Sequence, residues 1–177
     1  MAIHRKQIID QNLLEITVNR LGHQLIENHG DFSDSLIIGL QPRGIYLAQR
    51  LVACLRKFIN KNIQIGYLDI TFYRDDFRRR ETPLKANSTK IDFSIEDKKI
   101  ILVDDVLYTG RSVRAALDAM NTFGRPKKVE LLVLINRKYA RHLPVEPDYI
   151  GKSVNTLSSQ RVQVEWKDQG FKRMESG

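Results

Sequence analysis

The chain has 177 residues, 42% apolar and 28% charged, which suits one soluble α/β domain large enough to bury a proper core. No window has the apolar length of a membrane span, and the start, Met1-Ala2-Ile3-His4-Arg5-Lys6, lacks a signal peptide's hydrophobic stretch, so the expected setting is reducing and cytoplasmic. Twenty-nine Lys and Arg against 21 Asp and Glu leave a net charge of +8, which favours anionic partners: phosphorylated ligands, nucleic acid, or both. Taken in chain order, Leu14, Val18, Leu21 and Leu25 recur on one face and predict a helix over 10–27. A strand over 35–40 and a helix over 44–58 follow. The single cysteine, Cys54, lies in that helix's apolar pattern with Leu47, Leu51 and Leu55, reads as a small core thiol, and excludes an internal disulfide. After a strand over 63–72 comes a long polar stretch, 74–97, carrying Arg74, Arg78, Arg79, Arg80, Lys85 and Lys90; in a compact domain that length reads as a mobile lid or a disordered loop. A strand over 99–104 leads into a helical pattern over 113–120, closed by Gly124 and Pro126, and a further strand covers 129–135. Residues 149–150 and 162–166 read as short strands. Strands alternating with helices imply a mainly parallel, doubly wound sheet, with ligands at the carboxyl ends of the strands.

The stretch from 100 to 112 carries the most chemistry. Ile100, Ile101, Leu102 and Val103 form a buried apolar run that ends in two adjacent carboxylates, Asp104 and Asp105. Carboxylates at a strand's carboxyl end can hold sugar hydroxyls or a magnesium ion. Thr109, Gly110 and Ser112 then open a helix, and their hydroxyls and backbone N–H groups can wrap a phosphate at the positive end of its dipole. One site can therefore hold a ribose together with its phosphate. His4, His23, His29 and His142 have no metal-ligand spacing, and no serine or cysteine sits in a nucleophile elbow.

This string resembles the phosphoribosyl pyrophosphate (PRPP) motif of type I phosphoribosyltransferases: apolar run, two acids, a variable turn, Thr-Gly, then Ser or Thr. The narrower form Val-Asp-Asp-Val-Leu-Tyr-Thr-Gly-Arg, residues 103–111, resembles the PyrR family of pyrimidine operon regulators and uracil phosphoribosyltransferases. Segments 39–48, 69–76 and 148–152 match it in the same order. The resemblance implies a type I phosphoribosyltransferase fold over 1–177, with a flexible loop at about 74–97 and a small C-terminal hood at about 136–177.

The implied reaction joins uracil to PRPP and gives uridine monophosphate (UMP) and pyrophosphate. Asp104 and Asp105 would hold the 2′ and 3′ hydroxyls and steady positive charge on the ribose, with PRPP-bound magnesium bridging those hydroxyls and the leaving group. Val106, Leu107, Tyr108, Thr109, Gly110, Arg111 and Ser112 would grip the 5-phosphate. Gln41-Pro42-Arg43-Gly44 would be the pyrophosphate loop, where Arg43 can fork two hydrogen bonds to phosphate oxygens. Arg74 and the lid would neutralise the same group and exclude water. Proteins of the wider class often hold a cis peptide in this loop, and a proline lowers its cost, so Gln41–Pro42 is expected to be cis. Tyr149, Ile150 and Lys152 would recognise the base.

The resemblance also implies regulation: binding of pyrimidine-leader messenger RNA when UMP fills the pocket. Arg20 and His23 on the first helix, with Arg137, Lys138 and Arg141, are the candidate basic surface. Two departures weigh against it, because Asn136 stands where the family has an acid and Glu146 where an arginine is expected, and an anion facing RNA repels phosphate. The alternatives are a salvage enzyme without RNA control, an RNA-binding regulator with residual catalysis, and a purine phosphoribosyltransferase. A homodimer or homotetramer is the family expectation.

Overall fold

Asp10 starts the first helix, α1 (Gln11–His29), because its carboxylate accepts the Leu13 N–H at 2.7 Å and satisfies one of the donors that every helix start leaves open. Val18, Leu21 and Leu25 are its buried stripe, and Gly30, at φ 58°, ends it. The structure, a computed structural model, describes residues 4–73 and 89–166.

Five strands, β1 (Ser35–Leu40), β2 (Ile65–Leu68), β3 (Lys99–Leu107), β4 (Lys128–Lys138) and β5 (Tyr149–Asn155), form one parallel sheet in the order β2-β1-β3-β4-β5. Alternation sorts their apolar runs into two cores. Ile37, Ile101, Val103, Leu132 and Leu134 face α1 and α2 (Gly44–Leu55), while Leu36, Ile38, Ile100, Leu102 and Val133 face α3 (Arg111–Met120). Helices on both faces explain why the central strands read as continuous rather than alternating hydrophobic runs.

The expected class holds, with several boundaries moved. β3 continues past the acids to Leu107 because Val106 and Leu107 pair with Ile135 and Asn136 of β4. β4 runs on to Lys138, paired with β5 through Asn136, Arg137 and Lys138. β2 is only four residues long, and Thr71–Tyr73 form a 3₁₀ turn where the strand was expected to continue. α2 stops at Leu55 rather than 58. Residues 149–155 are a full strand of the central sheet, not a hood element, and 162–166 carry no strand pairing.

Both outer strands are partly covered. On β5, the Arg20 guanidinium donates to the carbonyls of Ile150 (3.2 Å) and Gly151 (2.6 Å). On β2, Tyr67 exchanges two backbone hydrogen bonds of 2.8 Å with Lys90. Among the described residues, no helix is long and apolar enough to cross a membrane.

Candidate active site

The carboxyl ends of β1 and β3 bring two segments together that lie 62 residues apart. Gly44, the first residue of α2, packs directly on β3: a Cβ there would stand 2.3 Å from the Val103 carbonyl oxygen and 3.1 Å from the Asp104 Cα. That approach needs glycine, and it brings Arg43 beside the acids. Arg43 Nε donates to Asp105 Oδ2 at 3.1 Å. The Gln41–Pro42 peptide before it is cis, as expected.

The acids are arranged through the backbone. Asp105 N–H donates to Asp104 Oδ1 at 2.9 Å, and Val106 N–H donates to Asp105 Oδ1 at 2.8 Å. Burial pushes the Asp104 carboxyl well above the usual range, and the neighbouring Asp105 charge adds to the rise; Arg43 opposes both only weakly. Asp105 is buried and Asp104 half-buried, and paired carboxylates so placed favour a ligand that brings hydroxyl donors and positive charge.

Past Leu107 the chain turns, and Gly110 adopts φ 92°, a left-handed conformation suited to glycine, at the N-cap of α3. Gly110 itself offers no capping side chain, and Thr109 Oγ1 accepts the Arg111 N–H at 3.3 Å. The N–H groups of Ser112 and Val113 in its first turn remain as donors for an anion. Three features that sequence reasoning missed hold this turn from behind. His142 and Leu143 N–H donate to the Thr109 carbonyl at 2.9 and 3.2 Å. Arg141 Nη1 donates to the Tyr108 carbonyl at 2.7 Å. The Arg137 guanidinium lies 4.0 Å from the centre of the Tyr108 ring.

Those contacts revise the expected basic surface. Arg137 is 5% exposed, and its guanidinium donates to Thr156 Oγ1 and to the carbonyls of Leu157 and Gln160. Arg141 serves the carbonyls of Val145 and Arg137 and the Asn136 side-chain oxygen. Both are internal ties, not open surface cations. Arg20 is committed to β5, and the exposed His23 ring packs 4.9 Å from Phe58; Lys138 is exposed.

The expected base-binding set is likewise occupied elsewhere. Tyr149 is buried against α1, where its hydroxyl accepts from Asn28 Nδ2 at 2.9 Å and its pKa is raised by burial. The Ile150 carbonyl takes Arg20, and Lys152 Nζ donates to the Ile8 carbonyl at 3.2 Å. What does lie against Arg43 is the segment 162–166: Arg43 Nη2 donates to the Val164 carbonyl at 2.5 Å. Its Val162, Val164, Trp166 alternation was the available signal. Arg74, with Arg78, Arg79, Arg80 and Lys85, lies outside the described residues.

Comparison with known proteins agrees with this fold. The model of the phosphoribosyl transferase domain family matches residues 4–169. A bifunctional protein PyrR of Enterococcus faecalis is 40% identical over 164 residues, covering 93% of this chain and 91% of that protein. One from Acetivibrio thermocellus is 44% identical over 162 residues, covering 92% and 88%. Among solved structures, a hypoxanthine-guanine phosphoribosyltransferase of Bacillus anthracis superposes with a TM-score of 0.67 at 17% identity, covering 87% of this chain and 85% of that one. At that identity the likeness is one of fold.

Proposed function

The chain belongs to the PyrR family of phosphoribosyltransferases, and from that premise we propose that it transfers ribose 5-phosphate from PRPP to uracil, giving UMP and pyrophosphate. The observation that carries the reading is the Arg43–Asp105 pair at 3.1 Å, which joins an arginine suited to pyrophosphate to the acids suited to ribose. In the reaction the C1′–O bond to pyrophosphate breaks, the C1′–N1 bond to uracil forms, and the N1 proton leaves. Asp104 and Asp105 hold the ribose hydroxyls and stabilise the positive charge that develops on the ring. The turn 106–112 holds the 5-phosphate on the open first-turn N–H groups of α3. Arg43 and Arg74 receive the departing pyrophosphate, and the polar stretch between Arg74 and Lys90 excludes water. Lys90 is paired with Tyr67 and Ile95 is buried in the core, so the expected lid is shorter than 74–97.

Magnesium fits this donor set as an ion carried in by the substrate. It prefers one or two carboxylates plus phosphate oxygens and water, and Asp104 and Asp105 are the carboxylates on offer. When bound it neutralises the charge of the leaving group.

We extend the second PyrR role to this chain as well: UMP in the pocket governs binding to pyrimidine-leader messenger RNA. Of the expected basic set, Lys138 and His23 are the exposed residues left for it, since Arg20, Arg137 and Arg141 are tied internally. We further propose a homodimer or homotetramer in the cytoplasm, where the buried Cys54 thiol stays reduced.

The test pairs two assays on purified protein. Pyrophosphate release is followed with uracil and a panel of purines, and binding of labelled leader RNA is followed with and without UMP. Uracil-dependent release supports the enzyme reading, and release with hypoxanthine or guanine alone overturns it. RNA binding strengthened by UMP over random RNA supports regulation; equal binding to both leaves a salvage enzyme.

A further inference from the structure

Residues 162–166 form no regular element, yet they make two directed contacts along the start of α2. The Val164 carbonyl accepts from Arg43, and the Arg50 guanidinium, two turns further along α2, lies 4.4 Å from the centre of the Trp166 ring. Trp166 is 4% exposed and belongs to the same core cluster as Leu47 and Leu51, with Val162 and Val164 packed against it. Its Nε1–H has no acceptor among the described residues. A phenylalanine would fill that site without a stranded donor. What the indole adds is the best aromatic face for a cation, and Arg50 uses it.

We propose that 162–166 is a positioning arm for Arg43, anchored by Trp166 on Arg50; the inference rests on the phosphoribosyl-transfer reading. Arg43 is held on two sides, by Asp105 and by the Val164 carbonyl, while its side chain stays 41% exposed. An incoming diphosphate replaces Asp105 as the partner of the guanidinium, and the arm keeps its plane fixed during the exchange. Trp166 is thus a positioning residue, acting through Arg50 and the arm backbone. Because Arg43 meets the diphosphate before and during transfer alike, the arm governs PRPP affinity more than turnover.

Trp166 is the only tryptophan in the chain, so its emission reports on the arm directly. Magnesium pyrophosphate titrated into the wild-type protein is expected to shift that emission, with the same midpoint as its inhibition of transfer. Inhibition with no spectral change overturns the proposal. Trp166→Leu, which keeps apolar volume but offers no ring, should raise the KM for PRPP about five- to tenfold, with kcat within about twofold. Trp166→Phe, a weaker face for the same cation, should give a KM between the wild-type and Leu values. Equal KM for the Leu and Phe variants would make the residue plain packing and overturn the proposal. Wild-type protein that fails to transfer to uracil refutes the function reading instead, and the pyrophosphate titration separates the two failures.

Discussion

Gly44→Ala tests whether close packing of α2 on β3 sets the site. The new Cβ would lie 2.3 Å from the Val103 carbonyl oxygen. An ordinary carbon–oxygen contact is about 3.3 Å, so the start of α2 must retreat by roughly 1 Å. Forced overpacking of this kind costs about 1–3 kcal/mol. At roughly 2–4 °C per kcal/mol for a chain of this size, a mid-range cost lowers Tm by about 4–8 °C. The retreat also carries Arg43 away from Asp105, and a misplacement of about 1 Å costs on the order of 100-fold in rate. The expected result is therefore a loss of about 100-fold in kcat/KM for PRPP. Gly151→Ala on the outer strand β5 is the matched control, since its Cβ would lie 2.4 Å from the Leu134 carbonyl oxygen of β4. It should lose similar Tm and keep its KM for PRPP. Steady-state kinetics and thermal melts on both variants decide the matter. If Gly44→Ala melts lower but keeps kcat/KM within about threefold, the close approach does not position Arg43.

Asp104→Asn should raise Tm at pH 7.5 while lowering kcat by about 100-fold or more. Folding raises this carboxyl's pKa, so the native state loses stability as pH climbs past the ordinary carboxylate range, and the asparagine variant escapes that loss; an unchanged or lower Tm counts against the burial argument. His29, buried beside Glu130 at 3.0 Å, is held below its ordinary pKa by burial, so stability should fall as pH drops through 6.5, and His29→Gln should flatten that slope in melts from pH 7.5 to 5. Arg141→Ala strands the carbonyls of Tyr108, Arg137 and Val145, and urea unfolding should show a loss of about 2–3 kcal/mol with a several-fold higher KM for PRPP. Arg141→Lys should rescue little, because one ammonium cannot reproduce the planar fork. Chelation with EDTA should abolish transfer and leave the melt unchanged, since the ion arrives with the diphosphate.

The string 100–112 was legible because every part of it is local: an apolar run, two acids, a turn, a helix start. The cis bond before Pro42 was expected from the resemblance together with the proline, which lowers its cost. The Arg43–Asp105 pair was not, because nothing in either segment states how far α2 sinks onto β3; a missing Cβ at Gly44 does that through space. The end of β4 was misplaced at Ile135 since Asn136 and Arg137 look like solvent-facing residues. Their polar groups are satisfied internally, by Ser153, Thr156 and the carbonyls around them, so the strand continues through them. Tyr149 entered the base-binding set only through the family resemblance. Strand direction turns it toward α1, where Asn28 and His29 meet its hydroxyl. At 162–166 the period-two pattern reflects packing against α2 and Arg50, without a partner strand.

The two partly covered outer strands bear on how the chain behaves in a crowded solution. A sheet with bare outer strands recruits strands from other chains and grows into aggregate. Here the Tyr67–Lys90 bridge occupies one side, and Arg20 lies across the carbonyls of Ile150 and Gly151 on the other. Both outer strands thus offer a shortened template for pairing with another chain, and concentrated protein should be less prone to strand-by-strand growth than a sheet with bare edges.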